Sequence, residues 1–127
     1  MSHPQKAVAI LGASSDRTKF GNKSVRAHLE AGYRVFPVNP REREIEGQAV
    51  YASLAALPEI PERISVYVPP AVGFQLMPEI AAVGAREVWF NPGAADDAVL
   101  AEAERLGVPA IDGCSIVDLG LSPSMFP

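Results

Sequence analysis

The sequence has few of the features that mark membrane-spanning, secreted or metal-binding chains. Its single cysteine, Cys114, excludes an internal disulfide and suits a reducing compartment. No stretch approaches the roughly 18 apolar residues of a membrane span. The segment ahead of the first apolar run has no apolar core of its own, which argues against a signal peptide. Neither His3 nor His28 has Cys, His or carboxylate neighbours at metal-ligand spacing. These absences favour a cytoplasmic protein without a metal site.

The G-x-G-x-x-G fingerprint of dinucleotide-binding domains is also missing, since the next glycine after Gly12 is Gly21. The acidic residue that would hold a nicotinamide cofactor's ribose is absent after the second predicted strand, where the chain reads Val38-Asn39-Pro40-Arg41. Arg41 favours a phosphate there, which leaves NADP or a 3′-phosphorylated nucleotide open. No nucleophile with a neighbouring base and no carboxylate pair follows the predicted strands. We therefore expect a binding module without catalysis of its own.

The charge is low and unevenly distributed. A net charge of −4 argues against general nucleic-acid binding. Residues 1–63 hold nine Lys and Arg against seven Asp and Glu, a balance of +2, whereas residues 64–127 hold two against eight, a balance of −6. This asymmetry is consistent either with chance among surface residues or with a site for a polyanionic ligand in the first half.

Strand and helix patterns alternate through the 127 residues, a length typical of one domain. Strands are predicted over residues 7–11, 33–38, 64–68, 87–90 and 109–111, and helices over 22–31, 53–57, 71–83 and 96–106. We expect Ser53 to cap the second helix, a turn over residues 45–47, and a loose tail from about residue 120. No Asn-Gly or Asp-Gly hairpin turn joins adjacent apolar strands. This alternation predicts an α/β domain: an open, doubly wound sheet of about five parallel strands with helices on both faces.

In such sheets, ligands bind beyond the carboxyl ends of the strands. The first strand ends at Gly12, and small and hydroxyl residues follow it, then a cationic segment that contains Arg17 and Lys19. A helix begins soon afterwards, so its unpaired N–H groups and partial positive charge would face the same loop. This arrangement predicts a phosphate site at Gly12, Ala13, Ser14, Ser15 and Arg17.

Several spaced motifs resemble those of one family in their order. They are the GAS loop after the first strand, YRVFPVNP in the second, Gly47 and Tyr51, VPP after the third and VWFNPG in the fourth. Over about residues 5–118 the chain is similar to the small stand-alone CoA-binding proteins, which resemble the CoA-binding domain of the succinyl-CoA synthetase α subunit. The resemblance implies a Rossmann-like domain that holds coenzyme A or an acyl-CoA. The histidine-bearing second domain of the synthetase has no counterpart here, so the ligase chemistry is not implied.

The resemblance also implies roles for particular residues. It sets the Gly12–Ser15 loop against the phosphates, Asn39, Pro40 and Arg41 near the adenosine 3′-phosphate, and Val68, Pro69 and Pro70 along the adenine or pantetheine path, with Asn91 on the same rim. Alternatives stay open: an NADP-dependent oxidoreductase, or a protein that senses CoA for a partner. A homodimer or an unknown protein partner also stays open, as does a mixed disulfide between CoA and Cys114.

Overall fold

A computed structural model describes residues 5–127, so the expectation for His3 lies outside the described residues. The strands are β1 (Ala7–Leu11), β2 (Arg34–Val38), β3 (Glu44–Ile45), β4 (Gln48–Ala49), β5 (Arg63–Val66), β6 (Glu87–Phe90) and β7 (Ala110–Asp112). The helices are α1 (Phe20–Glu30), α2 (Pro70–Val83), α3 (Asp97–Arg105) and α4 (Ser115–Asp118). Among the described residues, no helix combines the length and apolarity needed to cross a membrane.

The main sheet has five strands in the order β2–β1–β5–β6–β7, and all of its pairings are parallel. Leu11 at the end of β1 lies opposite Val38 of β2 and Val66 of β5, and Val66 lies opposite Phe90 of β6. The carboxyl ends of these four strands therefore meet at one edge. The strand order changes direction beside β1, which is where such sheets hold their ligands.

Side chains alternate between two apolar cores, one on each face of the sheet. Val8 and Ile10 of β1 pack with Val25 of α1, whereas Ala9 and Leu11 belong to the core that α2 and α3 cover. All five residues of β1 are buried, as expected for a strand covered on both faces. The predicted doubly wound α/β fold, Rossmann-like and with helices on both faces, is confirmed.

The sheet face under α1 and α4 contains buried polar groups that the apolar pattern did not reveal. Ser115 at the start of α4 bonds Ser65 of β5 at 2.6 Å between hydroxyl oxygens, and its N–H donates to Asn91 Oδ1 at 2.8 Å. At the other end of β5, Arg63 donates to Asp118 of α4 at 2.6 Å. These contacts fix the short α4 against the sheet.

The structure adds local detail that was not predicted and differs from one local expectation. Strands β3 and β4, which were not predicted, form a small antiparallel hairpin, whose predicted turn has positive φ values at Glu46 and Gly47. A 3₁₀ helix spans Leu54–Ala56, but the Ser53 side chain does not cap it. The tail contains a 3₁₀ helix (Pro123–Met125) and is held to α1, because Arg26 donates to the carbonyl oxygens of Phe126 and Pro127.

Candidate functional site

A cleft of about 660 Å³ opens where the carboxyl ends of β1, β5 and β6 meet the start of α1. We call it the α1 cleft. The residues that line it are Gly12, Ala13, Ser14, Thr18, Lys19, Phe20, Gly21, Asn39, Tyr67, Val68, Pro69, Pro92, Gly93 and Ala94. Of the residues predicted for the site, the structure thus brings together Gly12, Ala13, Ser14, Asn39, Val68 and Pro69.

The N-terminus of α1 faces this cleft without a side-chain cap. Lys19 is the N-cap residue, its side chain makes no capping hydrogen bond, and the first turn has no acidic residue. Phe20 and Gly21 come next and line the cleft. Their N–H groups have no partner within the helix, because the first residues of any α-helix lack one. Together with the helix dipole and the Lys19 ammonium, these amides form a site suited to an anion.

Two glycines allow this close approach of helix and loop. A Cβ at Gly21 would lie 2.3 Å from the carbonyl oxygen of Gly12, a distance that no side chain tolerates. Gly12 itself has a φ of +89°, and a Cβ there would meet the backbone of Tyr67 and Val68 at 3.1 Å. Gly21 therefore performs the close-packing role of a glycine in the dinucleotide fingerprint, at a different spacing. Gly21 was not among the predicted site residues. The feature that could have identified it is a glycine near the start of the first helix.

Asparagine side chains hold the Gly12–Ser15 loop in place. Asn39 Nδ2 donates to the carbonyl oxygen of Ala13, and Asn22 Nδ2 donates to that of Ser14, both at 2.9 Å. The N–H of Ser15 donates to Glu42 Oε2 at 2.9 Å, and Ser15 does not line the cleft. Asn39 thus both lines the cleft and positions its loop, whereas the Ser15 amide is already used by the protein.

The structure does not bring the predicted arginines into the α1 cleft. Arg17 lies 3.5 Å from Glu46 and is not among the residues that line the cleft. Arg41 is exposed beyond the end of β2, and its N–H donates to Asn39 Oδ1 at 2.8 Å. The cation that lines the cleft is Lys19, which belongs to the same cationic segment but was not among the predicted site residues.

Asn91 is buried below the rim rather than exposed on it. Its Nδ2 donates to Ser65 Oγ and to the carbonyl oxygen of Val66, both at 2.9 Å, and its Oδ1 accepts from Ser115. The rim itself consists of the next residues, Pro92 to Ala94. The side chain of Asn91 therefore shapes the β6 exit through contacts with protein groups.

A second, largely apolar hollow of about 300 Å³ adjoins the α1 cleft and shares Gly12, Asn39 and Val68 with it. We call it the β2 hollow. Its walls come from the ends of β1 and β2, the 3₁₀ turn at Leu54 and one side of α2, and they include the predicted residue Pro40. Its size and apolar walls suit a flat aromatic ring. Pro70 lines neither cavity.

Tyr67, in the wall of the cleft, is a titratable residue whose pKa is shifted by burial. Burial raises the pKa of its hydroxyl, which lies 3.3 Å from Ser115 Oγ. The phenol is therefore protonated at neutral pH and can serve as a hydrogen-bond donor. Among the residues that the structure describes, no group of three or more His, Cys, Asp and Glu side chains could hold a metal ion. Cys114, partly buried, does not line the cleft.

Residues 6–120 match the family model described as a CoA binding domain. The α subunit of ADP-forming acetate–CoA ligase II from Pyrococcus furiosus is 31% identical over 84 residues, which are 65% of this chain and 18% of that protein. ADP-forming acetate–CoA ligase I from Archaeoglobus fulgidus is 27% identical over 116 residues, which are 84% of this chain and 17% of that protein. This chain thus spans less than a fifth of the length of either relative.

Solved structures share the fold over most of this chain. A Thermus thermophilus protein has a TM-score of 0.82 at 32% identity, covering 90% of this chain and 87% of that one. A conserved hypothetical protein from Pyrococcus furiosus has a TM-score of 0.80 at 35% identity, covering 90% and 98%. Because the family match covers nearly the whole sequence, this chain belongs to the CoA binding domain family.

Proposed function

We propose that this chain binds coenzyme A or an acyl-CoA, with the diphosphate at the N-terminus of α1. The observation that carries the proposal is the uncapped first turn of α1, where Phe20 and Gly21 line the α1 cleft beside Lys19. A diphosphate there would receive backbone hydrogen bonds and favourable charge at once.

The other long helices are less suited to a phosphate. α2 begins with Pro70, which has no N–H to offer an anion at the first position of the helix. The first turn of α3 is capped by Asp96, whose carboxylate accepts from the N–H of Val99 at 2.9 Å and adds a negative charge. Both features favour α1 as the anion site.

The adjoining β2 hollow is the proposed place of the adenine ring. Its apolar walls cover a planar ring, and its shared residues Gly12 and Val68 place it beside the diphosphate. Arg41 follows Pro40, which lines the hollow, and no ion pair among the described residues involves Arg41. We assign Arg41 to the 3′-phosphate, the group that distinguishes CoA from dephospho-CoA.

We further propose that the chain binds this ligand in the cytoplasm and catalyses no reaction of its own. The ligase activity in the names of the curated relatives belongs to proteins of which the matched region is less than a fifth. Sensing of CoA for a partner protein, or binding as a homodimer, is compatible with this proposal. The competing function is an NADP-dependent oxidoreductase, which Arg41 would also suit.

Isothermal titration calorimetry of the full chain with CoA, acetyl-CoA, dephospho-CoA, NAD and NADP tests the proposal. We expect CoA and acetyl-CoA to bind more tightly than dephospho-CoA, and both nicotinamide nucleotides to bind weakly or not at all. Tighter binding of NADP than of CoA would favour the oxidoreductase instead.

A further inference from the structure

A third hollow, of about 430 Å³, lies between the beginnings of α2 and α3. We call it the α2–α3 hollow. The chain passes from the lining of the α1 cleft to that of the hollow at two points: Pro69 lines the cleft and Pro70 the hollow, and Ala94 lines the cleft and Asp96 the hollow. The three cavities therefore follow one another around the N-terminus of α2, from the β2 hollow through the α1 cleft to the α2–α3 hollow.

Exposed apolar side chains accompany this path. Val72, Phe20 and Phe74 are 40%, 57% and 43% exposed, and they line the β2 hollow, the α1 cleft and the α2–α3 hollow respectively. In the α2–α3 hollow, Phe74 is joined by the buried Val99. In the α2–α3 hollow, the half-exposed Phe74 and the buried Val99 together offer an apolar surface that an apolar group of a ligand can cover.

The charge of the third hollow restricts that group further. Asp96 is the one charged residue among those that line it, and its carboxylate is fixed by the hydrogen bond to Val99 N–H. The following residue, Asp97, adds a second exposed carboxylate in the first turn of α3. A ligand group with a terminal carboxylate would be repelled here, whereas a neutral alkyl chain would not.

On the basis of the proposed function, we infer that the α2–α3 hollow holds the acyl group of an acyl-CoA, and that this group is neutral and apolar rather than dicarboxylic. The order of the cavities matches the order of groups in the ligand. With adenine in the β2 hollow and the diphosphate at α1, the pantetheine arm crosses the β5 and β6 ends, past Pro69 and Ala94, and brings the thioester to Phe74.

Calorimetric titration of the full chain with CoA, acetyl-CoA, butyryl-CoA, hexanoyl-CoA and succinyl-CoA tests the inference. Each added methylene covers apolar surface, so we expect the dissociation constant to fall about twofold per methylene from acetyl- to hexanoyl-CoA, less than for full burial since the hollow is open. Butyryl and succinyl have the same number of carbon atoms. We expect succinyl-CoA to bind at least fivefold more weakly than butyryl-CoA because of its carboxylate.

Three variants separate the acyl site from the nucleotide site. Phe74→Ala should abolish the dependence of affinity on the length of the acyl chain and leave the affinity for free CoA unchanged. Asp96→Asn retains a side chain that caps helices well. It should reduce the difference in affinity between butyryl-CoA and succinyl-CoA. Val117→Ala removes a comparably exposed apolar side chain on α4 and should change neither quantity. The thermal unfolding midpoint of each variant verifies that it is folded.

The outcomes are distinct. Chain-length dependence in the wild type that Phe74→Ala removes supports the inference. Binding of CoA with equal affinity for all acyl chains, or a dependence that Phe74→Ala leaves intact, overturns the inference while the proposed function stands. Absence of binding to CoA and to every acyl-CoA overturns both.

Discussion

The position of a Cβ on Gly21 lies 2.3 Å from the carbonyl oxygen of Gly12, so the first turn of α1 approaches the exit of β1 as closely as only glycine permits. The atom that such a Cβ would meet belongs to the backbone of Gly12, so it cannot rotate away as a flexible side chain would. Phe20 and Gly21 line the same cleft as Gly12, Ala13 and Ser14. This single approach joins the fold of the first β–α unit to the site proposed for the diphosphate.

Replacing Gly21 with alanine should therefore damage both stability and binding. The added methyl group forces α1 away from the loop, at a cost of about 1–3 kcal/mol in the free energy of unfolding. Because the amides are displaced, the affinity for CoA should fall at least tenfold. Urea unfolding and calorimetry measure the two effects.

Gly73→Ala is the matched control, because a Cβ there would meet Val68 at an ordinary 3.8 Å within α2. It should leave stability unchanged or raise it by up to about 1 kcal/mol. Equal behaviour of the two variants would show that the Gly21 contact has no special role.

Lys19→Gln should weaken the binding of CoA and reduce the dependence of the affinity on salt concentration. Lys19 lines the α1 cleft, and a charge-assisted contact to phosphate contributes about 1–3 kcal/mol. Lys6→Gln removes the same charge just ahead of β1, at the opposite edge of the sheet, and should have little effect. If both variants lose the same affinity, general charge rather than a site at α1 accounts for binding.

Arg41→Ala should weaken CoA more than dephospho-CoA, since only CoA has the 3′-phosphate. The expected difference is about 1–3 kcal/mol, measured by calorimetry with the two ligands. Arg43→Ala, two residues further along the same exposed segment, provides the comparison and should affect both ligands alike. Equal losses for both ligands in Arg41→Ala would remove Arg41 from the 3′-phosphate site.

Stability should fall on acidification because of His28. Burial lowers the pKa of this histidine to about 4, since the imidazolium is poorly solvated inside the protein. The unfolded chain, with a pKa near 6.5, binds a proton below that pH that the folded chain does not. We therefore expect the free energy of unfolding to drop by about 2 kcal/mol between pH 7 and pH 5. Urea unfolding at both pH values measures this loss.

In His28→Gln the drop between pH 7 and pH 5 should be smaller by that amount, whatever the variant's absolute stability. The nearby charges, Arg63 and Asp118, remain in the variant and act on His28 in opposite directions in the wild type. An unchanged drop would mean that other groups dominate the acid dependence.

Much of the fold was predictable because the apolar runs are short and bounded by glycine and proline. Gly84 and Gly107 follow α2 and α3 closely with positive φ values, as expected for glycines that end helices. The hairpin β3–β4 was missed because its strands have two residues each, too few for an alternating pattern. Only its turn, at Glu46 and Gly47, was evident from the sequence.

The side chains of the candidate site were harder to predict than its backbone. Which cation faces the cleft depends on the turn from Asp16 to Lys19, where Lys19 N–H donates to the carbonyl oxygen of Asp16. That turn leaves Arg17 beside Glu46 and brings Lys19 to the helix start. Likewise, the role of Asn91 depends on Ser115, 24 residues away in the sequence. Contacts of this range are set by tertiary packing rather than by local pattern.

The most direct measurement of the central claim is a ¹⁵N–¹H NMR titration of the full chain with coenzyme A. If the diphosphate binds at the N-terminus of α1, the amide resonances of Ala13, Phe20 and Gly21 should shift most and saturate together. If these amides do not move while CoA binds elsewhere on the chain, or if no resonance responds to CoA, the account is contradicted.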